Sequence, residues 1–167
     1  MQVIAWSPNL TPERAERAGA EYVSSKEELM KRSDIVSIHM VLSEQTYRMI
    51  SAADLGLMKP TAFFINTSRG PLVDEPALIK VLKEKKIAGA GLDVFDEEPL
   101  PLDHPLRKLD NVTLSPHTGY VSDSNYEVRR VFCPRAANAL SSACELADYQ
   151  MTTQIADDAA VTAGVLG

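Results

Sequence analysis

The stretch AFFINTSRGPLVDEPALIKVLKEKKIAGAGL, residues 62–92, decides the fold. Ala62 to Asn66 is an apolar run of strand length, and Ile87 to Leu92 is a second. Between them Asp74 opens a helix whose apolar positions Ala77, Leu78, Val81 and Leu82 form one stripe, while Lys80, Lys83 and Glu84 face water. Strand, helix and strand in this order make the unit of a parallel sheet, because parallel neighbours need a crossover of about a dozen residues.

The same alternation extends towards both ends. Val3 to Trp6 reads as a strand. Thr11 then caps a helix with Pro12 at its first position, and Gly19 ends it. Glu21 to Val23 is a short strand, and Ser25-Lys26-Glu27-Glu28 is a capping box that starts a helix running to about Arg32. Ile35 to His39 is the next strand. Ser51 caps a brief helix to Met58, which Pro60 breaks. Val112 to Leu114 follows a proline-rich loop as one more strand. The expected class is α/β, a doubly wound and mostly parallel sheet covered on both faces.

Composition narrows the function. The 167 residues are 45% hydrophobic and 24% charged, which is ordinary for one soluble domain. Seventeen Lys and Arg against 23 Asp and Glu leave a net charge of -6, so neither nucleic acid nor anionic membrane is an expected partner. No stretch approaches the roughly 18 apolar residues of a membrane span, and the first residues lack a basic segment followed by an apolar one. The expected location is cytoplasmic. Cys133 and Cys144 have no His beside them and fit neither zinc nor redox spacing, so free thiols and no metal are expected.

In doubly wound sheets ligands bind beyond the carboxyl ends of the strands. The polar residues there are Ser37-Ile38-His39, Asn66-Thr67-Ser68-Arg69-Gly70, Asp93, and Pro116-His117-Thr118-Gly119. The topology brings them to one edge, where an arginine, a histidine and carboxylates could share a site. Spacing leaves open which of Asp96, Glu97 and Glu98 points inward.

Three segments carry a resemblance: residues 66–75 (NTSRGPLVDE), residues 89–99 (GAGLDVFDEEP) and residues 115–119 (SPHTG). In this order they resemble the consecutive signatures of the D-isomer-specific 2-hydroxyacid dehydrogenases, in the NAD-binding domain of that family. Ser33 to His39 and Leu57 to Pro60 resemble it too, and the likeness covers roughly residues 2 to 130. It implies a Rossmann-like fold, a nicotinamide cofactor, NAD with NADP possible, and hydride transfer between that cofactor and a small 2-oxoacid or 2-hydroxyacid. It also implies a homodimer.

The resemblance assigns roles by position. Arg69 matches the substrate arginine, and a planar guanidinium suits a carboxylate beside a ketone oxygen, since it can meet both with parallel hydrogen bonds. His117 matches the acid and base, and Glu98 the carboxylate that orients it. Asp93, Thr67 and Gly119 match residues on the cofactor side. At Ser7 the family usually has an acidic residue for the adenosine ribose, which leaves the choice between NAD and NADP open. His39 and His104 receive no role.

The sequence also departs from the family. Its Gly-x-Gly-x-x-Gly turn, whose amides hold a pyrophosphate, is not found here; Gly89-Ala90-Gly91 lies in an apolar strand with Val94 at the third position. Met1 falls where the family's second strand begins. The expectation is therefore an incomplete domain, residues 1–130, whose first strand is missing from the middle of the sheet. Its neighbours should then have unpaired edges and drive association. Residues 131–167 are expected to be a divergent tail, frame-shifted or otherwise altered; the competing reading is a short amphipathic helix from about Pro134 to Leu146 and then a mobile end. The alternative to an active dehydrogenase is an inactive or weakly nucleotide-binding fragment of one.

Overall fold

The computed structural model describes residues 1–120 and the strand at 160–165. The expected helix from Pro134 to Leu146 and both cysteines lie outside the described residues. Seven strands form one sheet: β1 (Gln2–Trp6), β2 (Glu21–Tyr22), β3 (Ile35–His39), β4 (Phe63–Asn66), β5 (Gly89–Leu92), β6 (Val112–Leu114) and β7 (Ala160–Val165). Their order is β2-β1-β7-β3-β4-β5-β6. Pairs β1/β2, β3/β4, β4/β5 and β5/β6 are parallel, and β7 alone runs antiparallel to both its neighbours, β1 and β3. The fold is the Rossmann-like α/β class that the alternation predicts.

Four helices make the crossovers: α1 (Pro12–Arg17), α2 (Lys26–Arg32), α3 (Ala52–Leu55) and α4 (Glu75–Lys83). Each starts at a side chain that satisfies an otherwise orphaned backbone amide. Thr11 accepts from Arg14, Ser25 from Glu28, and Asp74 from Ala77. At Ser25 the capping box is half made, because the Glu28 carboxylate turns to Arg32 one turn on, at 2.9 Å. A complete box forms instead at Ser51, whose amide donates to Asp54 at 2.7 Å while its hydroxyl accepts from the Asp54 amide. That helix stops at Leu55, earlier than the expected Met58, with Gly56 at its C-cap.

The α4 stripe buries Leu78, Val81 and Leu82 as its spacing requires. They join a core that includes Ile4, Val36, Ile38, Phe64 and Leu92, so residues from β1, β3, β4 and β5 pack in one continuous interior. Burial of this apolar surface supplies the main drive for folding. The edges of β1 and β3 that were expected to stay unpaired are not open: β7, from the stretch read as a tail, hydrogen-bonds β1 on one side and β3 on the other. β7 enters the sheet with Ala160 opposite His39, the last residue of β3, and leaves it beside the start of that strand, which is the antiparallel sense.

Candidate active site

The turn after β4 is built by Asn66, which is 2% exposed. Its side chain accepts from the Ser68 amide at 3.0 Å and donates to the Arg69 carbonyl at 2.9 Å. Ser68 donates its hydroxyl to the Ile38 carbonyl, tying this turn to β3. Arg69 is half-buried and donates from Nη1 to the Ser68 carbonyl at 2.6 Å. Thr67 lies exposed at the carboxyl end of β4.

Gly70 makes the Arg69 turn fit the next loop. A Cβ there would lie 2.0 Å from the Phe95 carbonyl carbon and 2.6 Å from the Asp96 amide nitrogen. Both are backbone atoms that cannot rotate away. Gly70→Ala is expected to lower stability by about 1–3 kcal/mol or more, the usual cost of overpacking. Denaturant unfolding checks this, and an unchanged midpoint would contradict the close approach.

Beyond β5, the three acidic residues separate. Asp96 faces Arg48 at 3.9 Å, and its own carboxyl is raised by burial first and then by the charge of Glu75. Glu97 is exposed. Glu98, also exposed, folds back on its own loop, accepting the Phe95 amide at 2.9 Å and meeting His117 Nδ1 at 2.6 Å. An ionised carboxylate only accepts, so Nδ1 carries the hydrogen in this pair and Nε2 is left to face a ligand. His117 has φ 55°, in the left-handed region, so this loop conformation is held by its contacts.

Asp93 supplies those contacts. Buried at the end of β5, it accepts the Thr118 amide at 2.9 Å and the Gly119 amide at 2.7 Å. Burial pushes its carboxyl pKa up, but the Ser115 hydroxyl, the Gly119 and Thr118 amides and the charge of His117 outweigh it, and the net shift is downward from 3.8. The carboxylate therefore contributes stability that is fully present above pH 3.8 and is lost as pH falls through its lower folded value. Asp93→Asn places an amide donor against one of two backbone donors and is expected to cost roughly 1.5–3 kcal/mol at neutral pH. Urea unfolding across the acid range checks both the cost and the flattened pH dependence below pH 3.8.

A cavity of about 320 Å³ opens beside this pair, bounded by Phe95, Glu98, Leu100, Leu114, Ser115 and His117. Arg69 is not on its wall; it stands on the neighbouring strand end, coupled through Gly70 to the loop that carries Glu98. Ser7 is elsewhere, at the end of β1, where its hydroxyl accepts the Asn9 amide at 3.3 Å. His39, held below its usual pKa by burial, sits 2.9 Å from the Ser37 hydroxyl. Asn66 and Ser115 lie in the stretches quoted from sequence but were given no role of their own, although each is a polar residue closing an apolar strand, the signal that drew attention to Asp93.

Strand ends at the carboxyl edge of a doubly wound sheet, here those of β4, β5 and β6, are where such a fold places a ligand, and an imidazole oriented by a carboxylate stands among them. The chain belongs to the family described as D-isomer specific 2-hydroxyacid dehydrogenase, NAD binding domain, which matches residues 1–119. The glyoxylate reductase of Thermococcus litoralis is 55% identical over 119 residues, 71% of this chain and 35% of that protein. Among solved structures, the NAD-complexed D-isomer specific 2-hydroxyacid dehydrogenase of Lactobacillus delbrueckii ssp. bulgaricus aligns with a TM-score of 0.63 at 36% identity, covering 72% of this chain and 40% of that one. An acyclic imino acid reductase in complex with NADPH and D-Arg aligns with a TM-score of 0.61 at 42% identity, covering 65% and 34%. The chain thus spans about a third of the length of the curated glyoxylate reductase it matches. Among the described residues no helix is long and apolar enough to cross a membrane.

Proposed function

We propose that this chain carries the catalytic half of an NAD(P)-dependent D-2-hydroxyacid dehydrogenase site, for reversible hydride transfer to a small 2-oxoacid. The observation that carries the reading is the 2.6 Å contact between Glu98 and His117 beside an open cavity. The carboxyl edge suits the nicotinamide end of a dinucleotide: Thr67 and Gly119 are exposed there, and Asp93 fixes the Gly119 loop from below. When bound, a reduced nicotinamide would supply the hydride for the carbonyl carbon.

Arg69 holds the substrate carboxylate and the adjacent ketone oxygen through its guanidinium fork. His117 gives a proton from Nε2 to the ketone oxygen as that oxygen becomes basic, and takes it back in the reverse direction. Glu98 keeps the ring in the tautomer that leaves Nε2 facing the substrate. The product is the 2-hydroxyacid, and one proton is consumed for each hydride. Thr67, Asp93 and Gly119 line the cofactor side, with Ser7 at the ribose end. NAD is the favoured nucleotide, with NADP possible because Ser7 brings no carboxylate to repel a 2′-phosphate. A homodimer in the cytoplasm, where nicotinamide nucleotides and 2-oxoacids occur together, completes the proposal.

A second reading is a nucleotide-binding module without turnover. It is favoured by the lack of a Gly-x-Gly-x-x-Gly turn in these 167 residues. Glyoxylate- or hydroxypyruvate-dependent loss of NADH absorbance by the purified chain separates the two. Turnover supports the dehydrogenase, and nucleotide binding without turnover supports the module.

A further inference from the structure

We propose that the gap between β1 and β3 is a strand-accepting slot which this chain fills with its own residues 160–165, a built-in plug that joins the two halves of the sheet. This inference is independent of the activity proposed above. β1 and β3 run parallel to each other, and each would expose a row of unpaired backbone donors and acceptors if the slot were open. Both flanking strands belong to the core, where Ile4 on β1 and Val36 and Ile38 on β3 are each 0% exposed.

The plug matches the slot in length. Val161 to Val165 register against Trp6 to Gln2, and Ala160 to Gly164 register against His39 to Ile35. Every residue from 161 to 164 is therefore opposed on both sides. The sequence AVTAGV carries no charge and no proline, as a strand in the middle of a sheet requires.

Occupancy has two consequences. The sheet becomes one unit instead of a two-stranded and a four-stranded piece, the smaller of which is too small to be stable alone. The slot is also closed to a strand from a second polypeptide, so the plug suppresses edge-to-edge association at this position.

Two measurements test the plug in the full chain. In the first, Ala163→Pro places a proline opposite both Ile4 and Val36. Hydrogen exchange of the peptides spanning 2–6 and 35–39 is expected to quicken by about a hundredfold. Unchanged exchange in both peptides would overturn the proposal. In the second, Gln2→Cys with Val165→Cys, in a chain also carrying Cys133→Ser and Cys144→Ser, is oxidised mildly at micromolar concentration. Gln2 is exposed and directly opposes Val165. A cross-linked product of single-chain mass supports the plug. A product of two-chain mass alone would mean that the slot takes a strand from a second copy, and no cross-link would mean that residues 160–165 are not in the slot; either result overturns it.

Discussion

His117→Ala is expected to lower glyoxylate-dependent NADH oxidation by about a hundredfold to ten-thousandfold, while leaving nucleotide affinity within a factor of about two. The imidazole is the group beside the cavity that both carries a transferable proton and is aimed by a carboxylate, at 2.6 Å from Glu98. Without it the proton for the developing alkoxide must come from solvent. The nucleotide should be spared because Asp93, not the imidazole, holds the Thr118 and Gly119 amides, at 2.9 and 2.7 Å. Steady-state rates paired with a nucleotide titration make the check. Equal turnover in both proteins would remove His117 from the chemistry, and a parallel loss of nucleotide affinity would show that the substitution had instead disordered the loop.

Arg69→Lys should cost tenfold to about a hundredfold in kcat/KM for the 2-oxoacid, the worth of a charge-assisted hydrogen bond of roughly 1.5–3 kcal/mol. Lysine keeps the positive charge but not the planar fork, so one ammonium cannot meet a carboxylate and a ketone oxygen with two parallel bonds. The turn itself should survive, because Asn66 grips it through the Ser68 amide and the Arg69 carbonyl, which are main-chain groups. Unaltered kcat/KM would show that the carboxylate is held elsewhere, and loss of thermal stability on the scale of Gly70→Ala would point to a structural role.

Much of the fold was legible because its signals are local. The caps at Thr11, Ser25 and Asp74 and the apolar stripe of α4 depend on residues a few positions apart. Where a side chain had a choice of partners, locality failed: Glu28 left its capping box for Arg32, and the complete box formed at Ser51 with an Asp at the third position, where the pattern usually has Glu or Gln. The strand β7 was hidden for a stronger reason. Ala and Gly are weak strand formers, and AVTAGV becomes a central strand only because β1 and β3 leave edges facing each other across a gap.

The site shows the same division. Arg69, Asp93 and His117 stand at strand ends, where the topology directs attention. Spacing could not choose among Asp96, Glu97 and Glu98, because the choice is made by a loop that folds back on the Phe95 amide. Nor could it show that Gly70 is required by the backbone of Phe95, a residue 25 positions away in the chain whose approach is a product of β4 pairing with β5.

The central claim is that this edge of the sheet receives a nicotinamide nucleotide, and a fluorescence titration of the 167-residue chain with NADH and, in parallel, NADPH tests it most directly. The account predicts saturable binding with a Kd on the order of micromolar, tighter for NADH, through the ends of β4, β5 and β6. Absence of binding of either nucleotide in the millimolar range would contradict it.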